Sequence, residues 1–349
     1  MVTVTYKVLR DDKRNLLLTI RASLPLPLNA PLFSKQIMKA LLLLAFGGPR
    51  SLEEVEFLLT CLFGRKPSPE LLERVKERYR LIGGCSPLPA ITERQAKALE
   101  EKLNSRGYLF KSYVGMRYSQ PLVEETLKEI LQDGVKEVVA IPMAPFRSRF
   151  STGAYKEELN QANKISGEKL KITFIEGWHA HPLFLQAVTE RVVEGLKQFT
   201  PEERKRVHLI FTAHSLPESV IGNDSYIEDM KESVNEVLKK IEPLPWHMAF
   251  QSKGGGTERW VAPEVECVLV EINKIGVREV LIVPIGFVSD HIEILYDIDI
   301  LYKEKAESLG MVLKRTQSLN WSEGFIKLLA SIVEENIKGF KDTRVQGGQ

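Results

Sequence analysis

"GVREVLIVPIGFV", residues 276–288, reads as a buried strand running into a loop, and the chain carries nearly the same passage at 134–146, "GVKEVVAIPMAPF". A Gly-Val-basic-Glu-Val start followed by an apolar run is what a strand entered from a helix end looks like, and its recurrence points to a duplicated unit. A second pair supports this. "LLLLAFGGP" at 41–49 and "HLIFTAHSLP" at 208–217 both end in Ala, three residues and Pro. The chain therefore divides into two similar half-molecules, 38–200 and 201–340, with 1–37 as a leader outside the core and 341–349 as a tail.

Within each half, short apolar runs alternate with charged amphipathic stretches, the pattern of parallel strands joined by helices. Strands are predicted at 40–46, 110–115, 137–143, 171–176, 207–213, 246–251 and 279–285. Helices are predicted at 92–107, opening on Thr92 as a cap and closing at a Gly, and at 263–276. The fold class is α/β.

The 349 residues include 48 Lys and Arg against 46 Asp and Glu, interspersed rather than collected in blocks, so there is no electrostatic footprint for nucleic acid. The longest apolar run, "ALLLLAF" at 40–46, is far shorter than the roughly 20 residues that span a bilayer. Cys61, Cys85 and Cys267 are odd in number and surrounded by no C-x-x-C or Cys/His cluster, which predicts a reducing cytoplasm and no cysteine-held metal. Residues 1–37 contain closely spaced prolines and no sustained period. Met38 opens the first strand directly, so a start annotated too early is the expectation there. The glycines of "FGGP", "IGG" and "KGGG" match neither the dinucleotide fingerprint nor the P-loop.

In an open parallel sheet, ligands gather at the carboxyl ends of the strands. His214 lies at such an end. A lone histidine there is most often a hydrogen-bonded structural residue, but the repeat places Phe46 at the corresponding position of the first half, so the turn itself does not require a histidine. The loop after the other repeated strand, "GFVSDHIEILYDID" at 286–299, holds Asp290, His291 and Glu293, with Asp297 four residues beyond Glu293. His179 and His181 in "WHAHP" are a weak metal pair without a third ligand. His208 and His247 read as structural.

Taken together, "LAFGGPRSLEEVEFLL", "RYRLIGGCSPLPAITERQA", "VGMRYSQP", "FTAHSLPES", "FQSKGGGTERWVAPEVE" and "PIGFVSDHIEILYDID" resemble the ferrochelatase family, in order, from about residue 38 to about 335. The resemblance implies two Rossmann-like domains of the class II chelatase type with a porphyrin cleft between them. It implies insertion of ferrous iron, as substrate, into protoporphyrin IX or coproporphyrin III in haem biosynthesis, a lyase reaction. His214 and Glu293 would be the catalytic and metal-binding pair, on opposite sides of the insertion site. Phe46, Arg78, Tyr79, Ser86 and Tyr155 would line the porphyrin cleft. No resident cofactor and no iron–sulfur cluster are expected, and peripheral membrane contact and oligomeric state stay open. Phe46 stands where one branch of the family has an iron-ligating tyrosine, and Leu62 and Phe63 stand where that branch carries arginines; Arg147 and Arg149 could restore positive charge. A chelatase for another tetrapyrrole or metal, and a non-catalytic carrier, are the alternatives.

Overall fold

The computed structural model describes residues 38–222, 224–255 and 257–337, together with two strands in the first 37 residues. Those two, Val4–Arg10 and Leu16–Ala22, pair antiparallel with Val4 opposite Ala22. The proposed tail at 341–349 lies outside the described residues.

From Lys39 onward, eight described strands form two parallel sheets of four: β1 (Lys39–Ala45), β2 (Phe110–Met116), β3 (Glu137–Pro142) and β4 (Lys171–Phe174), then β5 (His208–His214), β6 (Trp246–Gln251), β7 (Glu279–Val283) and β8 (Val312–Arg315). The first sheet runs β2-β1-β3-β4 and the second β6-β5-β7-β8, so each half has the same 2-1-3-4 order. The register repeats as well. Ala40 pairs with Val138 in the first half and His208 with Val280 in the second. Counting along both strands from these partners brings Phe46 and His214 to the same place, one step past the Ala that ends each apolar run.

The strands are apolar on both faces because both faces are covered. Leu41 and Leu43 join one core cluster and Ala40, Leu42 and Leu44 another, the two-residue alternation of a strand. The first of these clusters also takes in Leu209, Phe211, Leu281 and Val283, so the two sheets share it. Helices cross between the halves to build it: Pro182–Leu196 follows β4 in the chain, yet its Gly195 lies so close to Leu281 that a Cβ there would meet the leucine side chain at 3.0 Å. Gln95, from the first half, donates to Ser289 Oγ at 2.9 Å and to the Asn320 carbonyl at 2.7 Å in the second.

Two sequence expectations shift. The helix predicted from Thr92 begins at Leu88, with Pro87 as its cap; Thr92 is fully buried inside it and donates back to the Leu88 carbonyl. β8 is an additional strand, hidden because two of its four residues are Lys314 and Arg315 and it lies at a sheet edge, where one side needs no apolar partner. No described helix is long and apolar enough to cross a membrane.

Candidate active site

β5 is central in its sheet and buried along its length until His214, which emerges at the carboxyl end. The turn beyond is fixed by its backbone: Ser215 N–H donates to the Gln251 carbonyl at 2.8 Å, and Tyr226 Oη donates to the His214 carbonyl at 3.0 Å. The loop after β7 folds across this strand end because Gly286 permits it. A Cβ at 286 would sit 2.6 Å from that of Ala213, and Gly286 N–H donates to the Thr212 carbonyl at 3.1 Å. That close approach carries Glu293, on the short helix Ile292–Leu295, to His214.

The two side chains are hydrogen-bonded, His214 Nδ1 to Glu293 Oε2 at 2.9 Å, with the side chains one-third and one-quarter exposed. They are therefore neighbours on one side of the site rather than facing each other across it, since both ride on the end of the same sheet. With Glu293 ionised, Nδ1 must be the donor, so in the neutral imidazole the lone pair sits on Nε2. Burial pulls the imidazole's pKa down, but the charge and hydrogen bond of Glu293, with Asp297 behind, outweigh it and leave His214 raised. Glu293 shows the reciprocal effect. Burial would raise it, yet His214, His291 and Ser252 bring it to about 2. His291 Nε2 lies 3.9 Å from the same Oε2, its Nδ1 donating to the Ser289 carbonyl and burial holding its pKa down. Asp297 is raised to about 6, first by burial and further by repulsion from Glu293, against the hydrogen bond from Ser252.

Beyond Glu293 the helix changes register. Residues Asp297–Tyr302 are a π-helix, and the Tyr296 carbonyl accepts from both Ile300 and Leu301. Such single-turn π segments are frequent at functional sites.

The residues expected to line a cleft fall into three groups. Phe46 is 43% exposed and its ring lies 4.6 Å from that of Tyr118; the Arg117 guanidinium covers Tyr118 at 4.8 Å and Tyr155 at 5.5 Å. Tyr155 is buried on the helix Thr152–Ile165. On the helix Pro69–Leu81, Arg78 is exposed and stacks 5.1 Å from the Tyr296 ring, while Tyr79 is buried in a cluster with Val55, Leu58 and Leu59 against which Tyr118 and Ile292 also pack. Ser86 is buried beside Gly48, where it accepts from Leu88 N–H. Arg147 is held by both oxygens of the buried Asp229, so its charge is already matched. Arg149 is exposed, its N–H bound to Asp224.

The remaining histidines lie elsewhere. His179 contacts Glu232 at 3.1 Å and Asp229 at 3.3 Å, whereas His181 Nδ1 caps its helix by accepting from Leu183. His208 and His247 pair at 2.6 Å near the amino ends of β5 and β6; burial, then His247, brings His208 down to about 4. Among the described residues no three His, Cys, Asp or Glu side chains converge on a metal position. Tyr118 and Arg117 lie in "VGMRYSQP" and Gln251 and Ser252 in "FQSKGGGTERWVAPEVE", where local pattern does not mark them as functional. A polar residue closing an apolar strand, as Gln251 does after Phe250, is the signal that could have found the last two.

Two like-ordered α/β halves, with an acid–base pair where the second sheet ends, define a chelatase-type architecture. SirB from Bacillus subtilis, solved with Fe3+, shares the fold with a TM-score of 0.53 over 86% of this chain and 96% of that one, at 13% identity. A sequence profile described as ferrochelatase matches residues 38–337. A ferrochelatase of Deinococcus radiodurans is 37% identical over 297 residues, covering 84% of this chain and 94% of the relative. A coproporphyrin III ferrochelatase of Geobacillus sp. is 38% identical over 304 residues, covering 85% and 97%. The chain belongs to the ferrochelatase family, lyases that insert ferrous iron into a porphyrin in haem biosynthesis.

Proposed function

We propose that His214 and Glu293 carry out the insertion step, on the observation of their 2.9 Å contact at the end of β5. Replacing two pyrrole protons by Fe2+ is charge-neutral, but the protons must leave as the metal enters. In its neutral form His214 accepts one pyrrole proton at Nε2, the imidazolium so formed being stabilised by the Glu293 carboxylate through Nδ1–H, and passes that proton to water at its exposed face before accepting the second. Glu293 is also the oxygen ligand that meets incoming iron. A pair of mixed N and O donors holds iron less tightly than a closed four-ligand site, which suits a metal that must be passed on.

For the porphyrin we infer protoporphyrin IX. Phe46, Leu62 and Phe63 present apolar surface, with the last two exposed at the end of the helix Val55–Phe63, and Arg147 is committed to Asp229. Of the expected cleft residues, the exposed Phe46 and Arg78 would meet the porphyrin directly, Arg78 as the cation for a propionate, with the buried Tyr79, Ser86 and Tyr155 behind that lining. Iron enters as substrate, with no resident cofactor or iron–sulfur cluster in this reading. The free thiols of Cys61, Cys85 and Cys267 suit a reducing cytoplasm, and the apolar helix surface suits peripheral membrane contact. The test is anaerobic turnover with Fe2+ and either porphyrin, followed in the visible spectrum. A higher kcat/KM on protoporphyrin IX is expected; a higher value on coproporphyrin III overturns the substrate assignment and points to Arg78 and Arg149 as the recognising cations.

A further inference from the structure

We infer that Gln251 is a positioning residue for the insertion step, holding the main chain of Glu293 in place; this rests on the role given to Glu293 above. Gln251 ends β6, is 2% exposed, and is the ladder partner of His214. Its carbonyl accepts from Ser215 N–H at 2.8 Å, and its side-chain Nε2 donates to the Glu293 carbonyl at 2.8 Å. One residue thus ties both members of the pair to each other, His214 through the strand and Glu293 through the amide.

The Glu293 carbonyl sits where the helix is changing register. The last α-type bond before the change runs from Tyr296 N–H to Ile292, and the π pattern begins at the Tyr296 carbonyl. Carbonyls at such a seam lose their regular donors, and a buried one must be met from outside the helix. Gln251 meets it. Its own Oε1 is buried with no hydrogen-bond partner among the described residues, so the amide keeps its NH2 on Glu293 while its oxygen goes unpaired.

The next residue grips the same segment. Successive strand residues point to opposite faces, yet Ser252 reaches the Asp297 carboxylate from beside Gln251, which it does by leaving the strand with φ at +59°. A left-handed serine is a strained conformation of the kind that persists where the surrounding structure imposes it.

The test uses Gln251→Met, close in volume and without the donor, and Gln251→Glu, which keeps the shape and places a carboxyl oxygen against the carbonyl. Each is measured alone and in the Glu293→Gln background, with melting temperature and porphyrin Kd recorded. Loss of a group that orients a metal-contacting side chain costs roughly 10–100-fold, so each single variant is expected to lose that much in kcat with porphyrin Kd nearly unchanged. In the Glu293→Gln background the further loss should be under about twofold, because the contact being positioned is already gone. Equal losses in both backgrounds, or a single variant at wild-type kcat, overturn the positioning role while leaving the pair intact. Wild-type turnover by Glu293→Gln alone overturns both readings.

Discussion

The ends of β1 and β5 occupy the same place in two sheets of the same strand order and register, and they do different things. At the first, Phe46 is exposed and leans on Tyr118, with Arg117 over the tyrosine. At the second, His214 is hydrogen-bonded to Glu293. The backbone therefore supplies two equivalent openings, and side chains make one apolar and aromatic, the other able to hold a proton and a metal. The fold is symmetric and its chemistry is not, so the two strand ends need not serve a bound substrate in the same way.

Making the second end resemble the first is the severest way to break this contrast. His214→Phe is expected to lower turnover by at least the ~10²-fold that loss of a general base costs, and Glu293→Gln by a similar factor. Porphyrin should still bind, as monitored by its visible spectrum, and the protein should still fold, because the pair lies beyond the fully buried part of the strand. His214→Phe at near wild-type turnover would make His214 a turn residue only.

The pH dependence sharpens the contrast further. His214 must be unprotonated to accept a proton, so turnover falls as pH drops through its raised pKa. In Glu293→Gln the charge that raises it is gone, and the acid limb of the residual activity should move to lower pH. Stability gives a second readout. The raised His214 contributes fully below its ordinary value of about 6.5 and loses that contribution as pH rises through its folded pKa; the depressed Glu293 contributes above about 4.3 and loses it as pH falls toward about 2. The melting-temperature gap between wild type and His214→Phe should be widest between about pH 4.3 and 6.5, and a gap independent of pH would refute the ion pair.

A smaller effect is expected at the first end. Phe46→Ala removes an aromatic contact worth about 0.5–1.5 kcal/mol, so the porphyrin Kd should rise by about 2–13-fold with kcat little changed. A large drop in kcat would mean that Phe46 acts in the chemistry and that the two ends are less different than their side chains suggest. The smallest effect belongs to residues 1–37, outside the matched family region 38–337. Their removal should leave melting temperature and turnover unchanged, measured side by side with the full chain.

The sequence by itself determined the duplicated α/β architecture, because a buried parallel strand has to be a near-continuous apolar run and "GVREVLIV" and "GVKEVVAI" declare themselves twice. It also isolated His214, since the repeat put Phe46 in its place and removed the structural need for a histidine, and it put Glu293 in the loop after the repeated strand. Only the tertiary structure decided that the pair is side by side rather than face to face: the contact joins residues far apart in the chain and depends on Gly286 passing close over Ala213. Only it showed Ser86 and Arg147 already engaged by Leu88 and Asp229, the helix Pro182–Leu196 serving the second sheet, and Gln251 reaching Glu293. Local pattern records which residues must be buried and where strands end, whereas the partner of a polar group is fixed by the packing of segments that the chain order does not bring together.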